Sequence, residues 1–147
     1  MMRLYGNLQA TALDAEAWML PVLLIASIWI NDTMAYIVGS FIGKTPFSPV
    51  SPKKTWEGTI GGALLAVLIV TLTGHYVLHF PIRVLLMISV TAAVTGTLGD
   101  LFESKLKRLA CVKDSGNIMP GHGGFLDRFD SLLLATTALW IVLYLFY

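Results

Sequence analysis

The sequence has 147 residues, the length of one ordinary domain, and 56% of them are hydrophobic while only 13% are charged. Soluble domains carry roughly 25% charged residues, so this composition excludes a water-soluble globule and a disordered chain alike. Ten Lys and Arg against nine Asp and Glu leave a formal net charge of +1, which gives no excess field to hold a polyanion, and nucleic acid is not an expected partner.

A helix that crosses a bilayer needs about 20 apolar residues, and lipid offers no water to backbone groups, so such runs are predicted as helices rather than strands. The first 17 residues hold no compact apolar core followed by a small-residue cleavage site, and no secretory signal peptide is expected there. The first predicted span, 18–41, is uncharged except for Asp32. An ionisable residue inside a span is costly and usually faces a bundle interior or a polar cavity; the alternative is that Asp32 marks a helix end near the interface. Gly39, Ser40 and Gly43 permit close helix approach in the same stretch.

The connection 42–57 ends in Ser51-Pro52-Lys53-Lys54-Thr55-Trp56-Glu57, followed by Gly58 at the start of the next span. Adjacent lysines near a membrane surface attract anionic headgroups. The fuller pattern suggests a phosphate cradle, because Ser51 and Thr55 offer hydroxyls and a helix N-terminus starting near Thr55 turns backbone N–H groups toward an anion. The second span, 58–80, ends with His75 and His79, which lack a third ligand nearby and read as interfacial histidines.

The third span, 82–102, runs into Gly99-Asp100-Leu101-Phe102-Glu103-Ser104-Lys105-Leu106-Lys107-Arg108. On a helix Asp100, Ser104 and Lys107 share a face with Glu103 beside them. That face suits a cation and then an anion, or else it is a solvated helix end with local ion pairs. Cys111, the single cysteine, supports no disulfide framework and is expected as a small filler.

The connection 103–130 continues through Lys113 to Pro120-Gly121-His122-Gly123-Gly124-Phe125-Leu126-Asp127-Arg128-Phe129-Asp130. Three glycines around His122 let the backbone approach a ligand closely, and Asp127 and Asp130 offer hard oxygen ligands to Mg²⁺. A turn with a capped helix start is the alternative, but it leaves His122, Arg128 and one aspartate unexplained. The fourth span is 131–147, and Trp18, Trp140, Tyr144 and Tyr147 read as interfacial anchors or lipid-facing bulk. The expected fold is therefore all-α, a polytopic helical integral membrane protein of about four transmembrane helices. Lys44, Lys53, Lys54, Lys105, Lys107, Arg108, Lys113 and Arg128 all fall in the two long connections, against Arg3 and Arg83 elsewhere. By the excess of positive charge on cytoplasmic loops, both connections and the chemistry they carry are expected in the cytoplasm.

Residues from Ser104 to Asp130 resemble the signature of the phosphatidate cytidylyltransferase family, also called CDP-diacylglycerol synthases. The blocks Asn31-Asp32-Thr33 with Ala35-Tyr36, then Ser51 to Gly58, then Gly99-Asp100 with Glu103-Ser104, are similar to further family blocks in the same order. The resemblance implies an integral membrane enzyme, expected in the bacterial inner membrane, that condenses CTP with phosphatidate to CDP-diacylglycerol and pyrophosphate. It implies a metal site at Asp100 and Asp127, with Ser104 and Lys107 on the same polar face, and Mg²⁺ as the cofactor; a second, monovalent cation is left open. From the chemistry of converging phosphates, Asp130 is expected to support the metal site, Arg128 and Lys113 to bind phosphate, and Lys53 and Lys54, with Ser51, to hold phosphatidate or pyrophosphate. His122 and Asp32 complete the substrate-side candidates.

Family members carry additional spans before the block at Asp32, so the chain resembles the C-terminal half and a truncated form or fragment is one reading. Self-association as a homodimer, completing the lipid cavity of a small bundle, is left open. The competing functions are a CTP-dependent lipid-alcohol kinase on a related scaffold and a non-catalytic membrane subunit or ion-conducting bundle.

Overall fold

The computed structural model describes residues 18–48, 51–111 and 126–146, and within them the side chains other than those of 51–53 and 126–130. In chain order the elements are α1 (Met19–Ile42), β1 (Pro46–Ser48), β2 (Ser51–Thr55), α2 (Trp56–Leu78), α3 (Ile82–Leu109) and α4 (Leu126–Phe146). The first three helices are long and apolar enough to cross a membrane, and α4 holds a shorter apolar stretch, Ser131–Phe146. The all-α membrane class expected from the uncharged runs is the architecture found.

Large apolar side chains line the outside of the bundle, among them Trp29, Tyr36, Leu64, Tyr76, Val94 and Trp140, while Ser27, Asn31, Ser89 and Glu103 lie inside it. This distribution suits a lipid solvent, in which apolar area gains little by hiding and helices associate through close packing. Hydroxyls along the spans bond one turn back, as Ser27 Oγ to Leu23 O at 2.6 Å and Thr95 Oγ1 to Thr91 O at 2.6 Å do. Those bonds satisfy polar groups where no water is available.

Helices α1 and α2 pair through small residues. A methyl group on Gly58 would stand 2.7 Å from the Gly39 Cα, and one on Gly62 would collide with the Ala35 backbone. Only hydrogen at these positions lets the two backbones meet. Helix α3 is the central element, packed on α1, α2 and α4. Its residues Val84, Leu85, Ile88 and Ala92 form the core with Leu24 and Ile28 of α1, Phe80 before it and Ala135 of α4.

The turn from α2 to α3 is tight. His79 caps α2 in the left-handed conformation at φ 59°, the Phe80 N–H donates to Gly74 O at 3.2 Å, and His75 Nδ1 lies 3.1 Å from Phe80 O. The histidines four apart thus build a helix connection.

Three boundaries differ from the sequence reading. Helix α2 starts at Trp56, α4 at Leu126, and α3 continues to Leu109, well into the stretch read as a connection. The connection 42–57 also holds an antiparallel hairpin, with Pro46 opposite Thr55 and Ser48 opposite Ser51. Cys111, expected as filler, is exposed and left-handed at φ 55° just beyond α3.

Candidate functional site

The polar site forms where the hairpin meets the last turns of α3. An isolated two-stranded hairpin is marginal, so its position depends on anchors at its base. Thr55 supplies one: its Oγ1 caps α2 by accepting from the Gly58 N–H at 3.2 Å, the usual service of a threonine before a first helical turn. Glu57 supplies a second. Its Oε2 accepts from the backbone N–H groups of Lys44 at 3.2 Å and Thr45 at 3.1 Å, and its Oε1 accepts from the Thr45 hydroxyl at 2.7 Å. The Trp56 N–H donates to Thr45 O at 3.0 Å, and the Phe47 and Trp56 rings pack with centroids 4.3 Å apart.

Held in this way, β2 presents Lys54, whose ammonium forms an ion pair with the Asp100 carboxylate of α3. The two side chains are 31% and 33% exposed, so the pair is reachable from outside the bundle yet not freely solvated. One turn further along α3, Lys107 pairs with Glu103 at 3.3 Å, across four residues of the helix. Glu103 is only 4% exposed. A charge so deep is retained only when paired, and Lys107 lies one helical turn away.

Two cations and two carboxylates thus gather at one end of α3. Ser104 is half-buried and follows Glu103 directly, inside the second pair, and Asp32 lies on an exposed part of α1, next to buried Asn31. Of the sequence-predicted residues, Lys54 and Asp100 are brought into direct contact from separate motifs, and Lys107 is brought to Glu103. Ser51 and Lys53 belong to β2, and Asp127, Arg128 and Asp130 open α4, but their side chains lie outside the described set. Lys113 and His122 lie outside the described residues altogether. Among the described residues no three His, Cys, Asp or Glu side chains group to hold a metal.

The sequence assigns Glu57 no role beyond its motif, although an acidic residue in a first helical turn is a legible sign of a helix start. Its reach across to Thr45 had no signature, because nothing in the spacing shows that the end of α1 folds back on the start of α2.

These features define an all-α integral membrane protein with a charged, half-exposed site at the helix ends. The chain belongs to the cytidylyltransferase family, whose pattern it matches over residues 4–146. It is 49% identical over 121 residues to a Bacillus subtilis protein named phosphatidate cytidylyltransferase, covering 81% of this chain and 45% of that one. Proteins of the same name from Staphylococcus epidermidis and Helicobacter pylori are also similar. The first is 48% identical over 118 residues, 79% of this chain and 45% of the relative; the second is 41% identical over 141 residues, 96% and 51%. The chain spans about half the length of the curated relatives it matches.

Proposed function

We propose that this chain carries the site at which phosphatidate attacks CTP, yielding CDP-diacylglycerol and pyrophosphate, with that site on the cytoplasmic face of a bacterial inner membrane. The observation that carries this reading is the contact between Lys54 and Asp100, which joins the lysine motif to the acidic end of α3. A substrate phosphate arriving there meets an ammonium already held at the surface of the bundle.

In the reaction a phosphate oxygen of phosphatidate attacks the α-phosphorus of CTP, and the bond from that phosphorus to the bridging oxygen of pyrophosphate breaks. No protein nucleophile is needed, because such transfers depend on alignment and on neutralising charge. Lys54 and Lys53 hold the lipid phosphate or the departing pyrophosphate, and Lys107, kept in place by Glu103, faces the nucleotide phosphates with Arg128 and Lys113. Ser51, Ser104 and His122 add neutral donors, Asp32 lines the substrate side, and Asp130 supports the acidic pair.

The donor chemistry at Asp100 fits Mg²⁺: a hard carboxylate oxygen, partly open, where a cation already sits in the form of the Lys54 ammonium. Asp127 is the second ligand in this reading. Ala135, at the core of α4, lies eight residues beyond Asp127, and Ala92, at the core of α3, eight before Asp100. Successive membrane crossings alternate in direction, so each aspartate falls eight residues of helix, about 12 Å, from a residue of the shared core, toward the same end. Bound there, Mg²⁺ would neutralise the nucleotide phosphates and polarise the reacting phosphoryl group; a monovalent ion and a homodimer that completes the lipid cavity belong to the same proposal.

The test is a lipid-extraction assay on the chain in vesicles with labelled CTP and phosphatidate, with and without Mg²⁺. Label in a CDP-lipid, with pyrophosphate released only when Mg²⁺ is present, is the expected result. A phosphorylated lipid alcohol with CDP would instead assign a kinase, and ion flux without CTP binding would assign a non-catalytic bundle.

A further inference from the structure

We propose that Glu57 is a positioning residue: from the first turn of α2 it fixes the hairpin whose second strand presents Lys54 to Asp100. What Lys54 then does chemically rests on the function proposed above; the placement itself does not.

The argument starts from the hairpin's own weakness. Strands β1 and β2 have three and five residues, and both contain a proline, which cannot donate to a ladder. Such a ribbon holds no fixed position by its strand pairing alone. The Lys54 side chain is long and rotamer-rich, so an ion pair at one-third exposure does little to fix the backbone that carries it. The restraint must come from the base of the hairpin.

At that base Glu57 uses both carboxylate oxygens. Three bonds converge on it from Lys44 N–H, Thr45 N–H and the Thr45 hydroxyl, at 3.2, 3.1 and 2.7 Å. Bonds to an ionised acceptor are roughly twice as strong as neutral ones. Lys44 and Thr45 are the two residues between the end of α1 and β1, apart from Gly43, so tying them to α2 closes the loop at its neck. Trp56 N–H on Thr45 O repeats the same tie through backbone. Thr55, between Lys54 and Trp56, packs its side chain against Gly39 and Gly43 of the α1 end. The base of the hairpin is therefore tied to the start of α2 by the Glu57 carboxylate, three residues beyond Lys54, with the Trp56 amide and the Thr55 side chain beside it.

Two readouts on the full chain in vesicles test this. First, Lys54→Cys and Asp100→Cys are combined in a Cys111→Ser background and joined with a short bifunctional thiol reagent. Adding Glu57→Ala is expected to lower the cross-linking rate about tenfold, the scale of a lost hydrogen bond to charge. Adding Glu57→Gln, which retains an acceptor oxygen, is expected to recover most of the rate, and Thr45→Val to lower it less than Glu57→Ala does. Equal rates with Glu, Gln and Ala at position 57 overturn the proposal, and so does a Gln variant as slow as Ala.

Second, kcat/KM for CDP-lipid formation is measured for Lys54→Ala, Glu57→Ala and the double variant. If Glu57 acts through Lys54, the double variant is no slower than Lys54→Ala alone; effects that multiply overturn the proposal. A parent chain with no CDP-lipid formation defeats the functional reading, while the cross-linking rates still decide the placement of Glu57.

Discussion

Lys54 and Asp100 meet from stretches that the sequence keeps far apart, and each carries the charge that balances the other. Under the proposed reaction, a phosphate that takes the ammonium would leave the carboxylate to a competing cation. Asp100→Asn and Asp127→Asn are therefore expected to cut CDP-lipid formation by about a hundredfold or more, the size seen when one charge-stabilising group is removed from a transition state, with membrane insertion unchanged. Extraction assays on vesicles with matched protein content check this, and wild-type rates in either variant would remove that aspartate from the acidic site. Asp100, Lys54 and Lys107 were legible as charges at the edges of apolar runs, and their meeting in ion pairs is what the fold adds. Glu57 and Glu103 were not, because their work is done on a neighbour. Glu103 reads as one more solvated charge at a helix end until its burial is known, and the partner of Glu57 lies across a chain reversal that spacing alone does not reveal.

Helices followed from the uncharged runs because a bilayer leaves the backbone no other way to satisfy itself. Their ends did not. Helix α3 continues past the last apolar turn because Lys107 and Arg108 suit a C-terminal end that favours positive charge and Glu103 is paired with Lys107 one turn on, and an uncharged-run criterion stops at the first charged group. The hairpin was invisible for the opposite reason: two short strands with a proline in each have no alternation to count. The contact of α1 with α2 was hinted at by glycines, but its register was set only by where each one meets a backbone. At Gly62 any side chain meets the Ala35 backbone. Gly62→Leu is accordingly expected to destabilise the bundle by about 1–3 kcal/mol, the usual cost of forcing atoms into a closed interface, whereas Leu64→Ala on the exposed side of α2 should change it by about 0.5 kcal/mol or less. Unfolding in mild detergent, followed by circular dichroism, distinguishes the two; equal loss at both positions would show that the seam is not closed.

Charge distribution sets the orientation proposed for the whole molecule. Eight of the ten basic residues fall within 42–57 and 103–130, in the two connections or in the helix ends that enter them, and positive charge next to a span is retained on the cytoplasmic side. Cys111 is exposed beyond the end of α3 and is the single cysteine of the chain, so it reports that side directly. A membrane-impermeant maleimide is expected to label it in inverted vesicles and to spare it in intact spheroplasts; the reverse pattern would turn the proposed topology over. The family was readable from motifs alone because the charged blocks survive in order, whereas the relation between the blocks, hairpin against α3, required the fold.

Helix α3 has 28 residues, about 42 Å at 1.5 Å per residue, against a hydrocarbon layer of about 30 Å. With the apolar part of α3 set in that layer, the excess of roughly two turns would carry Glu103 and Lys107 out to the depth at which lipid phosphates lie. Under the proposed reaction, a two-tailed substrate would drift sideways into reach without leaving its leaflet, and its product would drift away by the same route. Encounter would then be a search in a plane, with turnover governed by how crowded the surface is with phosphatidate rather than by how much lipid the suspension contains.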